Sequence, residues 1–140
     1  MDFSSKHMSG ICLVSKMKVI WGQADTNECP RCGHPEDVCH ITRCTDPSAM
    51  EEWNQQLADL DAWMTSVDTS PDVVSTIRAL LQVWRGGTSF PYQVPCLVLL
   101  AAKDQRIIGC RGLLEGLISP KWAITQDQHY RDIGSRRTGA

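Results

Sequence analysis

Sixteen residues, Cys29 to Cys44, read CPRCGHPEDVCHITRC and constrain this chain more than any other stretch. They hold a Cys-x2-Cys pair (Cys29, Cys32) followed by His40 and Cys44 in His-x3-Cys spacing. Three thiols and an imidazole are the ligand types that Zn²⁺ takes in a closed tetrahedral site. Pro30 presets φ for a tight turn and Gly33 can take φ > 0 where the chain doubles back, so both thiolates reach one side. Pro35, Glu36 and Asp37 predict the first turn of a helix, with proline at its first position and acids at the positive dipole end. In that helix His40 and Cys44, four residues apart, share the face toward the turn. The expectation is one structural zinc held by Cys29, Cys32, His40 and Cys44. The plainer alternative is that these cysteines are small core residues.

Two neighbours complicate the ligand set. Cys39 lies about 100° round a helix from His40, which suits a packed or spare thiol, though its substitution as a ligand stays open. His34 sits too close to Cys32 to close the same site and reads as a surface or cap residue.

After Cys44, Asp46 caps and Pro47 opens the clearest helix of the chain. Met50, Trp53, Leu57, Leu60, Met64 and Val67 follow at alternating steps of three and four, an apolar stripe opposite an acidic face. Such a stripe is a core face or a self-association seam, with Met50, Trp53 and Leu57 as its leading residues. Ser70-Pro71-Asp72 starts a second helix with Val73, Val74, Ile77, Leu80, Leu81 and Trp84 inward, ended by Gly86-Gly87. The short link predicts an antiparallel hairpin. Residues 86–96 read as a loop. Leu97 to Ala102 fits helix or strand by periodicity; Pro95 before it and Lys103-Asp104-Gln105 after it favour helix. A further helix is expected over 104–115, weakened by Gly109 and Gly112 and closed by Gly116. Ser119-Pro120 caps a last helix carrying Trp122, Ile124 and Tyr130. At the other end, Ile11 to Trp21 is dense in apolar residues without a clean period and predicts a short helix ending at Gly22. So abrupt a start implies a missing N-terminal region. The fold class is therefore mainly α: a small zinc knuckle (1–46), then a helical hairpin and further short helices (47–133), and a disordered basic tail (134–140).

Composition bounds the rest. Hydrophobic residues make up 42% and charged residues 21% of 140 residues, enough for a packed core and against global disorder. Seven cysteines without a recognisable signal peptide point to a reducing, intracellular setting, cytoplasm or nucleus. The longest apolar runs fall far short of a membrane span. The net charge of −2 hides a polarity. Thr45 to Thr76 holds seven acids and no lysine or arginine, whereas from Ile77 onward nine bases face four acids. That is not the uniformly basic surface of a strong nucleic-acid binder.

The segment CPRCGHPED with its following His40 and Cys44 resembles the zinc-binding segment that follows the polymerase in reverse transcriptases of non-LTR retrotransposons. Lys6, Gly10, Ile11 and Trp21 are similar to the lead-in of some protist members. Ile108-Gly109, Leu114, Gly116, Ser119 and Trp122 are similar to a further motif of that region, with Cys110 standing where the family has tryptophan. The resemblance implies a mobile-element remnant or an accessory domain that binds template or element RNA, the zinc holding the fold and Lys16, Lys18, Arg31 and Arg43 meeting phosphate. The alternative for Lys16 and Lys18 is a solvated surface.

Catalytic signatures are missing from the sequence. It has no phosphate-binding Gly-Lys-Ser/Thr loop, dinucleotide fingerprint, nucleophile elbow, His-Glu-x-x-His pair or Tyr-x-Asp-Asp. A closed Cys₃His set keeps no position for water, which argues against a hydrolytic zinc. The leading expectation is RNA or DNA binding without catalysis. The others are a protein-interaction or scaffold module using the acidic helix and exposed tryptophans, and an inactive remnant.

Overall fold

The computed structural model describes residues 14–86 and 93–138, with side chains up to Gly134. Among these the chain is mainly helical: α1 (Ser15–Ile20), α2 (Pro47–Ser66), α3 (Pro71–Gly86), α4 (Cys96–Ile108), α5 (Cys110–Leu114) and α6 (Lys121–Thr138), with a 3-10 turn at His40–Thr42. No strand forms among the described residues, and the β pairing is one antiparallel bridge, Glu28 with Pro35. No described helix is long and apolar enough to cross a membrane. The chain divides into two compact units, Met1–Gln55 and Gln56–Ala140, the division falling inside α2 rather than at its N-cap. The expected loop over 86–96 lies mostly outside the described residues, as do Lys6, Gly10 and Ile11.

Among the described residues of the first unit, Val14 and Val38 are buried with Met17 against them. Backbone and carboxylate bonds supply the rest. The Glu36 carboxylate accepts from the Ser15 backbone N–H at 2.7 Å and its hydroxyl at 2.6 Å, and the Glu36 carbonyl accepts from Lys16 N–H at 3.1 Å. A carboxylate at the start of α1 satisfies free N–H groups and the helix dipole together. Helix α1 ends as the sequence suggests, at Gly22 with φ +67°.

The helix expected over Pro35–Cys44 is absent. Glu36 N–H donates to the Asn27 carbonyl and Cys29 N–H to the His34 carbonyl, so Pro35 and Glu36 are extended. Asp37 instead caps a single turn, accepting from His40 N–H at 2.9 Å. The acidic pair serves two different elements: Glu36 holds α1 and Asp37 holds the turn that carries His40.

Helix α2 starts as predicted. The Asp46 carboxylate accepts from Ser48 N–H at 3.0 Å and from the Ser48 hydroxyl, and the Ser48 hydroxyl and N–H hold its carboxyl below the usual range. Its stripe is buried only at Leu57 and Met64; Met50 and Val67 are exposed. The helix closes on Asp68 in the left-handed region (φ +55°), with Thr69 N–H to the Met64 carbonyl and Asp68 N–H to the Thr65 carbonyl. Helix α3 follows at once, and Arg78 pairs with Asp61 across the hairpin.

Helices α3, α4 and α6 bury Val73, Leu80, Val98, Ala101, Ala102 and Trp122, with Ile77, Val94, Cys110 and Leu113 packed against them. Each fully buried Leu or Val contributes about 1.5–3 kcal/mol relative to exposure. The sequence predicts one helical stretch over Leu97–Ala102 and a further one from Asp104; in the structure α4 runs through both as a single helix, Cys96–Ile108. Gln105 is fully buried and every polar atom of its amide is used: Nε2 donates to the Leu117 carbonyl (3.0 Å), while Oε1 accepts from Ser119 N–H (3.0 Å) and Trp122 Nε1–H (3.2 Å). The break comes at Gly109, whose φ of +93° ends α4 before the short α5. Gly116 closes α5 by a Schellman pair, Leu117 N–H to the Gly112 carbonyl and Gly116 N–H to the Leu113 carbonyl. Ser119 caps α6 through Lys121 N–H. That helix continues through Gly134 to Thr138, beyond the point where a disordered tail is expected.

Candidate metal centre

Two short pieces of backbone build the site. In the first, Gly33 N–H donates to the Cys29 carbonyl at 2.9 Å with Gly33 at φ +74°, and the Glu28–Pro35 bridge closes the neck of the turn. This presents Cys29 and Cys32 to one side, as the Cys-Pro-x-Cys-Gly pattern predicts. In the second, the Asp37-capped turn is locked by Arg43 N–H to the His40 carbonyl (2.9 Å) and the Thr42 hydroxyl to the Cys39 carbonyl (3.1 Å). It projects His40 and delivers Cys44. The two donors thus arrive from a 3-10 turn and the non-helical residues after it, not from one α-helical face.

The donor atoms of Cys29, Cys32, His40 and Cys44 all lie within 4.8 Å of one another. The Cys29 and Cys44 sulfurs are 3.9 Å apart, and the Cys32 sulfur is 3.2 Å from His40 Nε2. A tetrahedral ion with bonds of about 2.3 Å to sulfur and 2.0–2.1 Å to nitrogen needs S···S edges of about 3.8 Å and S···N edges of about 3.5 Å. Both of these edges lie within about 0.3 Å of those lengths, and no edge of the set exceeds 4.8 Å. Cys29 and Cys44 are buried, and Cys32 and His40 are half-buried, so protein lines most of the site. Cys39 is half-buried and outside the set.

The electrostatics also fit a cation. The backbone N–H of His34 points at the Cys32 sulfur and lowers its pKa to about 6, with a further contribution from the His34 side chain. Burial pushes the Cys44 thiol up, against the pull of the Asp46 N–H on its sulfur. Three thiols this close cannot all ionise together without a positive charge among them. A divalent ion bound there would supply it.

His34 and Glu36 are the residues that sequence reasoning assigned no such part. His34 lies one residue past Gly33, where the N–H of a tight turn naturally meets the preceding sulfur. Glu36 was visible as an acid, but its target, Ser15, lies 21 positions away. Of the four cations proposed to meet phosphate, Lys16, Arg31 and Arg43 are exposed and Lys18 is half-buried. All four belong to the unit that holds the cluster. Arg31 stands near enough to Asp46 to help depress its carboxyl.

No protein family, curated protein or solved structure matches this chain. What can be said of the site rests on its own geometry: a Cys₃His cluster able to hold a metal ion and compatible with zinc.

Proposed function

We propose that Cys29, Cys32, His40 and Cys44 hold one structural Zn²⁺ and that the chain is an accessory module that binds RNA or DNA without catalysing a reaction. On this reading it is akin to the region following the polymerase in non-LTR retrotransposon reverse transcriptases. The observation that carries the reading is the Cys₃His cluster with Lys16, Arg31 and Arg43 exposed on the same unit. Bound zinc would neutralise the thiolates and fix the two turns relative to each other. With four protein donors it would keep no open position for a substrate or water. The cations would then meet backbone phosphate, giving an affinity that falls steeply with salt.

Two measurements test it. Native mass spectrometry of protein prepared with zinc is expected to show one ion per chain, lost in Cys44→Ser. Titration with single-stranded RNA and duplex DNA at rising salt is expected to show binding that weakens linearly on a log–log plot. Charge reversal at Arg31 and Lys16 should flatten that slope. Absence of binding at low salt removes the nucleic-acid role while leaving the zinc site standing, and metal-dependent cleavage of either nucleic acid overturns the non-catalytic reading.

A second reading has its own observation. Met50 and Trp63 are exposed on the acidic α2, a surface that repels phosphate and suits a protein partner. Leu57, named with Met50 and Trp53 as a contact face, is buried and unavailable to a partner.

A further inference from the structure

Helix α4 carries two apolar faces, and the core uses only one. Val98, Ala101, Ala102 and Gln105 point inward. Leu97, Leu100, Asp104 and Ile107 lie along another line, at steps of three, four and three, the spacing that makes the seam of a helix–helix interface. The three apolar members are 67%, 66% and 85% exposed. Ile124 of α6, 70% exposed, widens the same surface. The Thr125 hydroxyl donates to the Leu97 carbonyl at 3.1 Å, and Leu97 and Ile124 line one shallow cleft. Single exposed aliphatic residues are ordinary; four on one face mark an interaction surface.

Charge says what covers it. On the seam, between Leu100 and Ile107, Asp104 meets Lys121 of α6 at 3.0 Å. One acid and one base among these apolar side chains form a patch complementary to itself. Related by a twofold axis, the acid of one copy faces the base of the other and every charge keeps a counter-charge. A strongly acidic or basic partner would leave one of the two opposed by like charge.

We propose that this face of α4 and α6 is an isologous docking surface for a second copy of this chain. Leu100 and Ile107 of each copy pack across the axis, and Asp104 of one copy exchanges with Lys121 of the other. The surface shares no residue with the metal cluster, with the cations assigned to phosphate, or with the exposed residues of α2.

Sedimentation of the full, zinc-loaded chain over about 1–100 μM tests this, the range where a modest interface associates. The expected result is a mass of two chains at the upper end. Ile107→Glu and Leu100→Glu place an unpaired carboxylate in the seam and should raise the dimer Kd by roughly a hundredfold. Both positions are already solvent-facing, so helical circular dichroism should not change. Asp104→Lys and Lys121→Asp should each abolish self-association alone, yet associate when mixed, because only the mixed pair restores opposite charges at both crossings. A one-chain mass at the highest concentration overturns the proposal. So does a dimer indifferent to both glutamate variants, or folded charge variants that fail to pair on mixing.

Discussion

The two units reach order by different physics. Among the described residues of Met1–Gln55 only Val14, Val38 and Met17 form an apolar cluster, and the buried cysteines Cys29 and Cys44 belong to the donor set instead. In Gln56–Ala140, three long helices enclose Leu80, Val98 and Trp122 with little water contact, and even the buried Gln105 has its amide fully bonded. That cluster by itself offsets little of the conformational entropy of the residues ordered around it, at about 1–2 kcal/mol each. A metal can offset more, because its binding free energy becomes folding free energy when the unfolded chain has no site. With a metal in the Cys₃His cluster, the first unit should therefore depend on that ion and the second on its core.

The largest test of this contrast is removal of the metal. Chelation, or Cys44→Ser, forfeits a binding free energy on the order of 10 kcal/mol or more. Amides of the turns around Cys29 and His40 should lose hydrogen-exchange protection while those of α3, α4 and α6 keep theirs. Equal loss in both units, or in neither, would break the contrast. The converse substitution is Leu80→Ala, expected to cost about 2–5 kcal/mol. Urea unfolding followed by Trp122 fluorescence should register it, and metal stoichiometry at low urea should not.

Gln105→Ala comes next, at about 3 kcal/mol, because it strands the Ser119 and Trp122 N–H groups and the Leu117 carbonyl. Gln105→Leu should recover little of that, since volume is restored but the bonds are not; full rescue would show that packing alone matters there. Asp68→Gly should stabilise the second unit by about 1 kcal/mol, measured as a rise in Tm. Glycine takes the left-handed cap without strain, and the Asp68 carbonyl can still accept from Gln126 Nε2. The gentlest test is pH. The Ser119 hydroxyl, and then Lys121, hold the Asp104 carboxyl below its ordinary range. Its folded pKa is thus lower than its unfolded one, so its contribution is present above the unfolded value and is lost as pH falls through the folded value. Melts from pH 7 down to pH 3 should show that slope in the native chain and a shallower one in Asp104→Asn.

Legibility differed between the units for the same physical reasons. The clustering of Cys29, Cys32, His40 and Cys44 could be read because metal chemistry restricts residue types so narrowly that spacing is nearly sufficient. The scaffold around it could not: Pro35-Glu36-Asp37 is equally good at opening a helix or ending a bridge, and the choice lay with Asn27 and Ser15, far along the chain. In the helical unit, Asp46-Pro47 and Ser70-Pro71 marked true helix starts and Gly116 a true stop, since these signals act within one turn. Gln105 was invisible, because periodicity counts a polar residue as exposed and cannot see partners 12 to 17 positions away. The run beyond Gly134 was missed likewise, glycine being a weak breaker once a helix is established.

By itself, then, the order of residues determined the donor atoms, the helical class and most helix ends, all of which depend on chemistry within a few positions. Tertiary structure alone decided which backbone carries His40 and Cys44 to Cys29, which polar side chain is buried, and which of α4's two apolar faces stays open. Those outcomes depend on groups that meet only after the chain has closed on itself, and local preference there is nearly balanced.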